Sequence, residues 1–194
     1  MISTKPSDSM SSRGVLHTAL TPKDQYIAQC TRGAYITSVC QPEASFDLSF
    51  TVQTINPVEE DMKNLNKQLQ WQKDNMTWGL KFIKLDTKTL RLLVFTDASF
   101  ANNEDLSLQI SYVLALANAT NKANIVHWSS VKCKRVTRSV LASELYSTVH
   151  SFDISVAVKT MLNKILQINL PVILCTDSKS LYDCLIQLRT MQEK

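Results

Sequence analysis

Three acidic residues stand out by type and setting: Asp97, Glu144 and Asp177. Two apolar runs end in nearly the same way, LLVFTDAS carrying Asp97 and VILCTDSKS carrying Asp177. In sheets flanked by helices, ligands gather at the C-terminal ends of the strands. If the two runs are neighbouring strands, both aspartates leave the sheet at one edge. Glu144 lies near the start of a long helical stretch, which can bring a third carboxylate to the same point. Three carboxylates in one place repel, and one is driven to protonate unless a cation intervenes. Hard divalent cations remove that cost, with Mg²⁺ typically taking one or two carboxylates together with water and phosphate. Two such ions about 4 Å apart activate water and stabilise the leaving oxygen of a phosphodiester. Each acid alone reads as a turn former or helix cap. Together, in this order, they read as a site for Mg²⁺ or Mn²⁺.

The elements that must hold these acids show up as periodicities. Leu90–Phe95 is a continuous apolar run of the kind buried on both faces of a sheet, and Pro171–Thr176 is another. Leu80–Leu85, Ile110–Leu116 and Ile125–Ser129 read as further strands. From about Ser139 to Leu166 the pattern turns helical, with Leu141, Leu145, Val149, Phe152, Val156 and Leu162 at helical spacing. Leu181–Leu188 reads as a last helix. That order predicts an α/β fold with a mixed sheet, part hairpin-connected and part closed by a crossover helix.

Ahead of the sheet lies a different region. Residues 1 to about 20 are polar and serine-rich and read as a flexible tail. Thr21-Pro22 with Asp24 predicts a capped helix running through Ile27, Cys30 and Ala34. Pro42-Glu43 opens a second, with Leu48, Val52 and Ile55 on one face. Asn56-Pro57 before Glu59, Glu60 and Asp61 combines cap, proline and dipole-matched acids, and Leu65, Leu69 and Met76 carry that helix toward Gly79. The expected organisation is a tail over 1–20, a helical connection region over 21–90 leading into the first strands, and the α/β domain over 91–194.

Composition narrows the function classes. The 194 residues are 44% hydrophobic and 20% charged, which suits a packed core rather than wholesale disorder. Only three glycines argue against phosphate-cradling glycine loops. A formal charge of +4 permits a polyanionic partner without demanding one. The five cysteines form no metal-binding spacing and read as reduced thiols of a cytoplasmic or nuclear protein. The start lacks the apolar run of a secretory signal, and no stretch reaches membrane-span length.

Residues 91 to about 188 resemble the ribonuclease H domain of copia-type LTR retrotransposon polyproteins, especially fungal ones. The resemblance rests on FTDASFANNED, ISYVLAL, NIVHWSSVKCKRVTRSVLASELYS and LCTDSKSLYDCL. Residues 21 to about 85 resemble the segment joining reverse transcriptase to ribonuclease H in the same polyproteins, through TPKDQYIAQCTRGAYITSVCQPEASFDLSF and the NPVEED helix. This implies hydrolysis of the RNA strand of an RNA–DNA hybrid by a two-metal mechanism, with Asp97, Glu144 and Asp177 as catalytic and metal-binding acids. The family carries a fourth acid on a helix after a fifth strand, beyond the residues matched here. The chain is therefore expected to be a C-terminally truncated, ribonuclease H-like fold lacking its last strand and helix, with weak or absent cleavage. A noncatalytic nucleic-acid-binding module and a pseudogene product are the alternatives, and a reverse transcriptase acting in trans is a conceivable partner. Ser111 stands where such hairpins carry glycine, a change expected to cost some strand packing.

Lys132, Lys134, Arg135 and Arg138 place four cations within seven residues, just before the Glu144 helix. A basic loop beside a metal site suits the phosphate backbone of a hybrid, although charge runs are often only solvated faces. Trp71, Trp78 and Trp128 suit core or interdomain packing better than base stacking. His127 and His150 read as structural, and Asp153 and Asp183 as surface acids.

Overall fold

The computed structural model of the protein describes residues 20–99, 108–133 and 135–192. The expected tail over 1–20 lies almost wholly outside the described residues, as do Lys134 and the segment after Ser99. Contacts divide the chain between Gly79 and Leu80 into two units.

The first unit is helical. Helix α1, Pro22–Val39, starts on a reciprocal cap: Asp24 N donates to Thr21 Oγ1 at 3.2 Å, and Thr21 N donates to Asp24 Oδ2 at 3.2 Å. Pro42 opens a single 3-10 turn, Pro42–Ala44, which leads into a short α2, Ser45–Thr51. The predicted apolar face of α2 fails beyond Leu48, since Val52 and Ile55 lie past the helix and are exposed. Helix α3 spans Glu59–Asp74. Its N-cap, Val58, donates its N–H to Asp61 Oδ2 at 2.8 Å. Asn56, the predicted cap, accepts from Lys23 Nζ instead. Met76 lies past the helix and is exposed.

Tyr26, Cys30, Ala44, Leu48 and Leu65 form the core of this unit. Tyr26 donates its hydroxyl to the Thr51 carbonyl at 2.9 Å, tying α1 to the end of α2. Burial pushes the Cys30 thiol up to about 11, so it stays protonated and acts as a small apolar filler. Trp71 packs against this core and meets Trp78 edge-to-face, ring centroids 5.9 Å apart.

The second unit is an α/β layer. Strands β1 (Arg91–Ser99), β2 (Leu108–Ala117), β3 (Ala123–Cys133) and β4 (Val172–Cys175) form one sheet in the order β3-β2-β1-β4. β1 runs antiparallel to β2 and parallel to β4, so the sheet is mixed as predicted. The parallel pair is closed by helix α4, Val140–Leu166, and helix α5, Lys179–Gln192, follows β4. Leu80–Leu85 is not a strand. Its residues form no regular element, and Ile83 exchanges two hydrogen bonds with the Asn124 amide, 2.9 and 2.8 Å, so a side chain takes the place of a ladder. Among the described residues no helix is long and apolar enough to cross a membrane.

The core lies between the sheet and the C-terminal half of α4. Leu92, Val94, Tyr112 and Leu114 pack there with Ile154, Val158, Leu162 and Leu166. The N-terminal half meets the sheet differently. Leu141, Leu145, Val149, Phe152 and Val156 are all exposed, while Ser143, Ser147, Ser151 and Ser155 are fully buried. The small residues recur every four positions and form one face, and their size lets the helix lie close to β1. Of the predicted apolar stripe, Leu162 packs into the core, whereas Leu141, Leu145, Val149, Phe152 and Val156 are turned away from the sheet.

Candidate metal centre

Close approach at the serine face sets where Glu144 arrives. Ser147 Oγ donates to the Asp97 carbonyl at 2.6 Å, and Thr96 Oγ1 lies 2.8 Å from Ser147 Oγ. Because Ser147 spends its proton on the carbonyl, Thr96 is the donor in that second bond. Ser151 Oγ is 3.1 Å from Thr96 Oγ1 and 2.6 Å from the Ser147 carbonyl. These bonds pin the second and third turns of α4 to β1 at the residue that carries the first carboxylate. The start of α4 is held as well: Ser139 Oγ accepts from Ala142 N at 3.2 Å, and Thr137 and Ser143 share a hydroxyl contact of 2.6 Å.

The two aspartates are placed by strand register. β1 and β4 pair in parallel as far as Phe95↔Cys175, and Asp97 and Asp177 each stand two residues further on. The repeated TD dipeptide is thus a structural repeat across neighbouring strands. β4 stops at Cys175, and Ser178 then caps α5, its Oγ accepting from Leu181 N at 3.4 Å and its carbonyl from Tyr182 N at 3.0 Å. The turn therefore presents Asp177 just ahead of a helix N-terminus.

One carboxylate oxygen from each of Asp97, Glu144 and Asp177 lies within 4.8 Å of the other two. Asp97 and Asp177 are exposed, whereas Glu144 is 6% exposed. Burial, reinforced by the neighbouring Asp97 and Asp177, pushes the Glu144 carboxyl up to about 7. Its Oε2 is buried with no hydrogen-bond partner. A buried acceptor without a donor is costly, and a cation would satisfy it. Three hard oxygen donors, open to solvent through the two aspartates, fit Mg²⁺ or Mn²⁺ and do not fit a soft metal.

The basic residues are less closely gathered. Lys132 lies near the end of β3 and is half-buried, whereas Arg135 and Arg138 are exposed in the approach to α4. Arg135 Nη1 donates to Tyr146 Oη at 3.1 Å, with the guanidinium 5.2 Å from the ring centroid. His127 and His150 both pack on the Tyr112 ring, at 5.7 and 5.8 Å between centroids. Trp128 is half-buried on β3, and Asp153 and Asp183 are exposed on their helices. All five cysteines are free thiols.

Sequence reasoning missed the hydroxyl residues that set this geometry, Thr96, Ser143, Ser147 and Ser151. Their signal was the four-residue recurrence of serine along α4. It read Ser111 only as a change expected to cost some strand packing, and did not foresee that its hydroxyl is bonded to Ser130 across the ladder at 2.9 Å.

No family model and no curated protein sequence matches this chain. What the geometry establishes is an α/β unit in which three carboxylates from β1, α4 and the end of β4 form one cluster able to hold a divalent cation.

Proposed function

We propose that the second unit is a retrotransposon-derived, ribonuclease H-like domain. Its reaction is hydrolysis of the RNA strand of RNA–DNA hybrids with Mg²⁺ or Mn²⁺ at Asp97, Glu144 and Asp177. The observation that carries this reading is the convergence of the three carboxylates, within 4.8 Å, from two strand ends and a helix start. The resemblance of the motifs around each acid to copia-type ribonuclease H supports it. Bound there, divalent cations would supply Lewis acidity for phosphodiester hydrolysis. The exposed Asp97 and Asp177 face an approaching strand, and Glu144 closes the site from the helix side. Lys132, Lys134, Arg135 and Arg138 would hold the phosphate backbone and set its register without reading sequence. Turnover is expected to be slow, because three carboxylates leave much of a second ion's coordination to water and phosphate.

The second reading is a noncatalytic module that binds nucleic acid through the same site. It is favoured by the count of acids, three being the whole cluster among the described residues. Mn²⁺ titration and a hybrid-cleavage assay, run on the wild-type chain and on Asp97→Asn, separate the readings. The enzyme reading expects EDTA-sensitive cleavage that Asp97→Asn abolishes, with Mn²⁺ affinity lowered about tenfold or more. Metal and hybrid binding without cleavage would select the second reading. Equal Mn²⁺ binding by both proteins would sink the cluster as a metal site.

A further inference from the structure

On the sheet face that carries the Asp97 side chain, polar residues lie side by side across three strands. Asp97 pairs with Ser111, and Ser111 pairs with Ser130. Residues directly opposite in antiparallel strands share a face, with Cβ atoms about 4.5–5.5 Å apart. Gln109, two residues along β2 from Ser111, points to the same face. Its Nε2 donates to Ser130 Oγ at 3.0 Å, and Ser130 Oγ is 2.9 Å from Ser111 Oγ. Gln109 is 2% exposed, which fixes the amide end of the row, while the two serines are half-buried. Either hydroxyl can donate in the bond between Ser130 and Ser111; with Ser130 as the donor, the amide proton on its oxygen and its own proton pass the polarity on to Ser111. The Ser111 proton is then left for an acceptor on the Asp97 side of the row. Among the described residues no hydrogen bond joins Ser111 to Asp97.

We propose that Ser111 is a ligand-positioning residue, whose hydroxyl donates to a phosphate oxygen of a nucleic-acid strand lying over the carboxylate cluster. This rests on the reading of that cluster as a nucleic-acid-processing site, and deepens it by naming the group that meets the strand beside Asp97. A hydroxyl donor beside the carboxylates complements the phosphate oxygen that the acids by themselves repel.

The test compares wild type, Ser111→Ala and Ser111→Thr by fluorescence anisotropy with a short labelled RNA–DNA hybrid. Ca²⁺ is used to allow binding without turnover, and Mn²⁺ affinity is measured in parallel without nucleic acid. Ser111→Ala should weaken hybrid binding about 3- to 10-fold, the loss of one hydrogen bond, and Ser111→Thr should restore it. Mn²⁺ affinity should be the same in all three. A wild-type protein that binds hybrid, with Ser111→Ala binding as tightly, overturns this inference and leaves the site reading intact. Parallel loss of Mn²⁺ in Ser111→Ala also overturns it, because the hydroxyl would then serve the acids rather than a ligand. Wild type that binds Mn²⁺ but no hybrid overturns both readings.

Discussion

Replacing Glu144 by glutamine tests the electrostatics of the cluster directly. The carboxyl is held at about 7 against an ordinary value of 4.5, first by burial and then by Asp97 and Asp177. At 1.36 kcal/mol per pKa unit, that difference corresponds to at most about 3.4 kcal/mol of pH-dependent stability. Water around the exposed Asp97 and Asp177 screens the repulsion, so about 1.5–2 kcal/mol is the working figure. The sign follows from linkage. A folded state that holds its proton more tightly than the unfolded chain has this stability below pH 4.5, and loses it as pH rises through 7. Glu144→Gln has no such proton and keeps an uncharged side chain of the same shape. Urea unfolding at pH 5 and pH 8.5, with EDTA, should show wild type losing about 1.5–2 kcal/mol more than the variant across that interval. Millimolar Mg²⁺ at pH 8.5 should restore wild type and stabilise the variant less, since the variant keeps only two of the three carboxylates that bind the ion. An identical pH dependence in the two proteins would refute the placement of a buried Glu144 beside the two aspartates.

Ser147→Leu should destabilise the protein by about 3 kcal/mol in chemical denaturation, because no space exists beneath a fully buried serine bonded to Asp97 and Thr96. Ser147→Ala should cost less, about 2 kcal/mol, because it leaves the Asp97 carbonyl and the Thr96 hydroxyl without their partner. Tyr26→Phe should cost about 1 kcal/mol by the same measurement, through loss of the bond to the Thr51 carbonyl. Replacing Lys132 and Arg138 together by alanine should lower the slope of log Kd against log salt for hybrid binding by about 1 to 2, without changing base preference. An unchanged slope would return both cations to the solvated surface.

Much of the candidate site was legible in the residue order because strand register repeats locally. LLVFTD and VILCTD each end an apolar run with an aspartate at the same distance, so pairing the runs in parallel automatically aligns the acids. Helix starts were legible where a side chain meets its own backbone within three residues, as at Thr21 and Asp24. Those interactions are local, and composition near one position decides them.

Which face of α4 turns inward was not local. Periodicity alone marks Leu141, Leu145, Val149, Phe152 and Val156 as a stripe just as well as it marks Ser143, Ser147, Ser151 and Ser155. Burying the leucines would favour the first, by roughly 25 cal/mol for each Å² of apolar surface. The tertiary structure chose the second, and the reason lies in strand β1. Thr96 and the Asp97 carbonyl offer hydrogen bonds that the short hydroxyl side chain of Ser147 meets at 2.8 and 2.6 Å. The same choice placed Glu144 within reach of the aspartates. The sequence by itself thus determined that three acids would sit at two strand ends and one helix start. Tertiary packing decided that they meet, and that the glutamate among them is buried and half-neutral near pH 7.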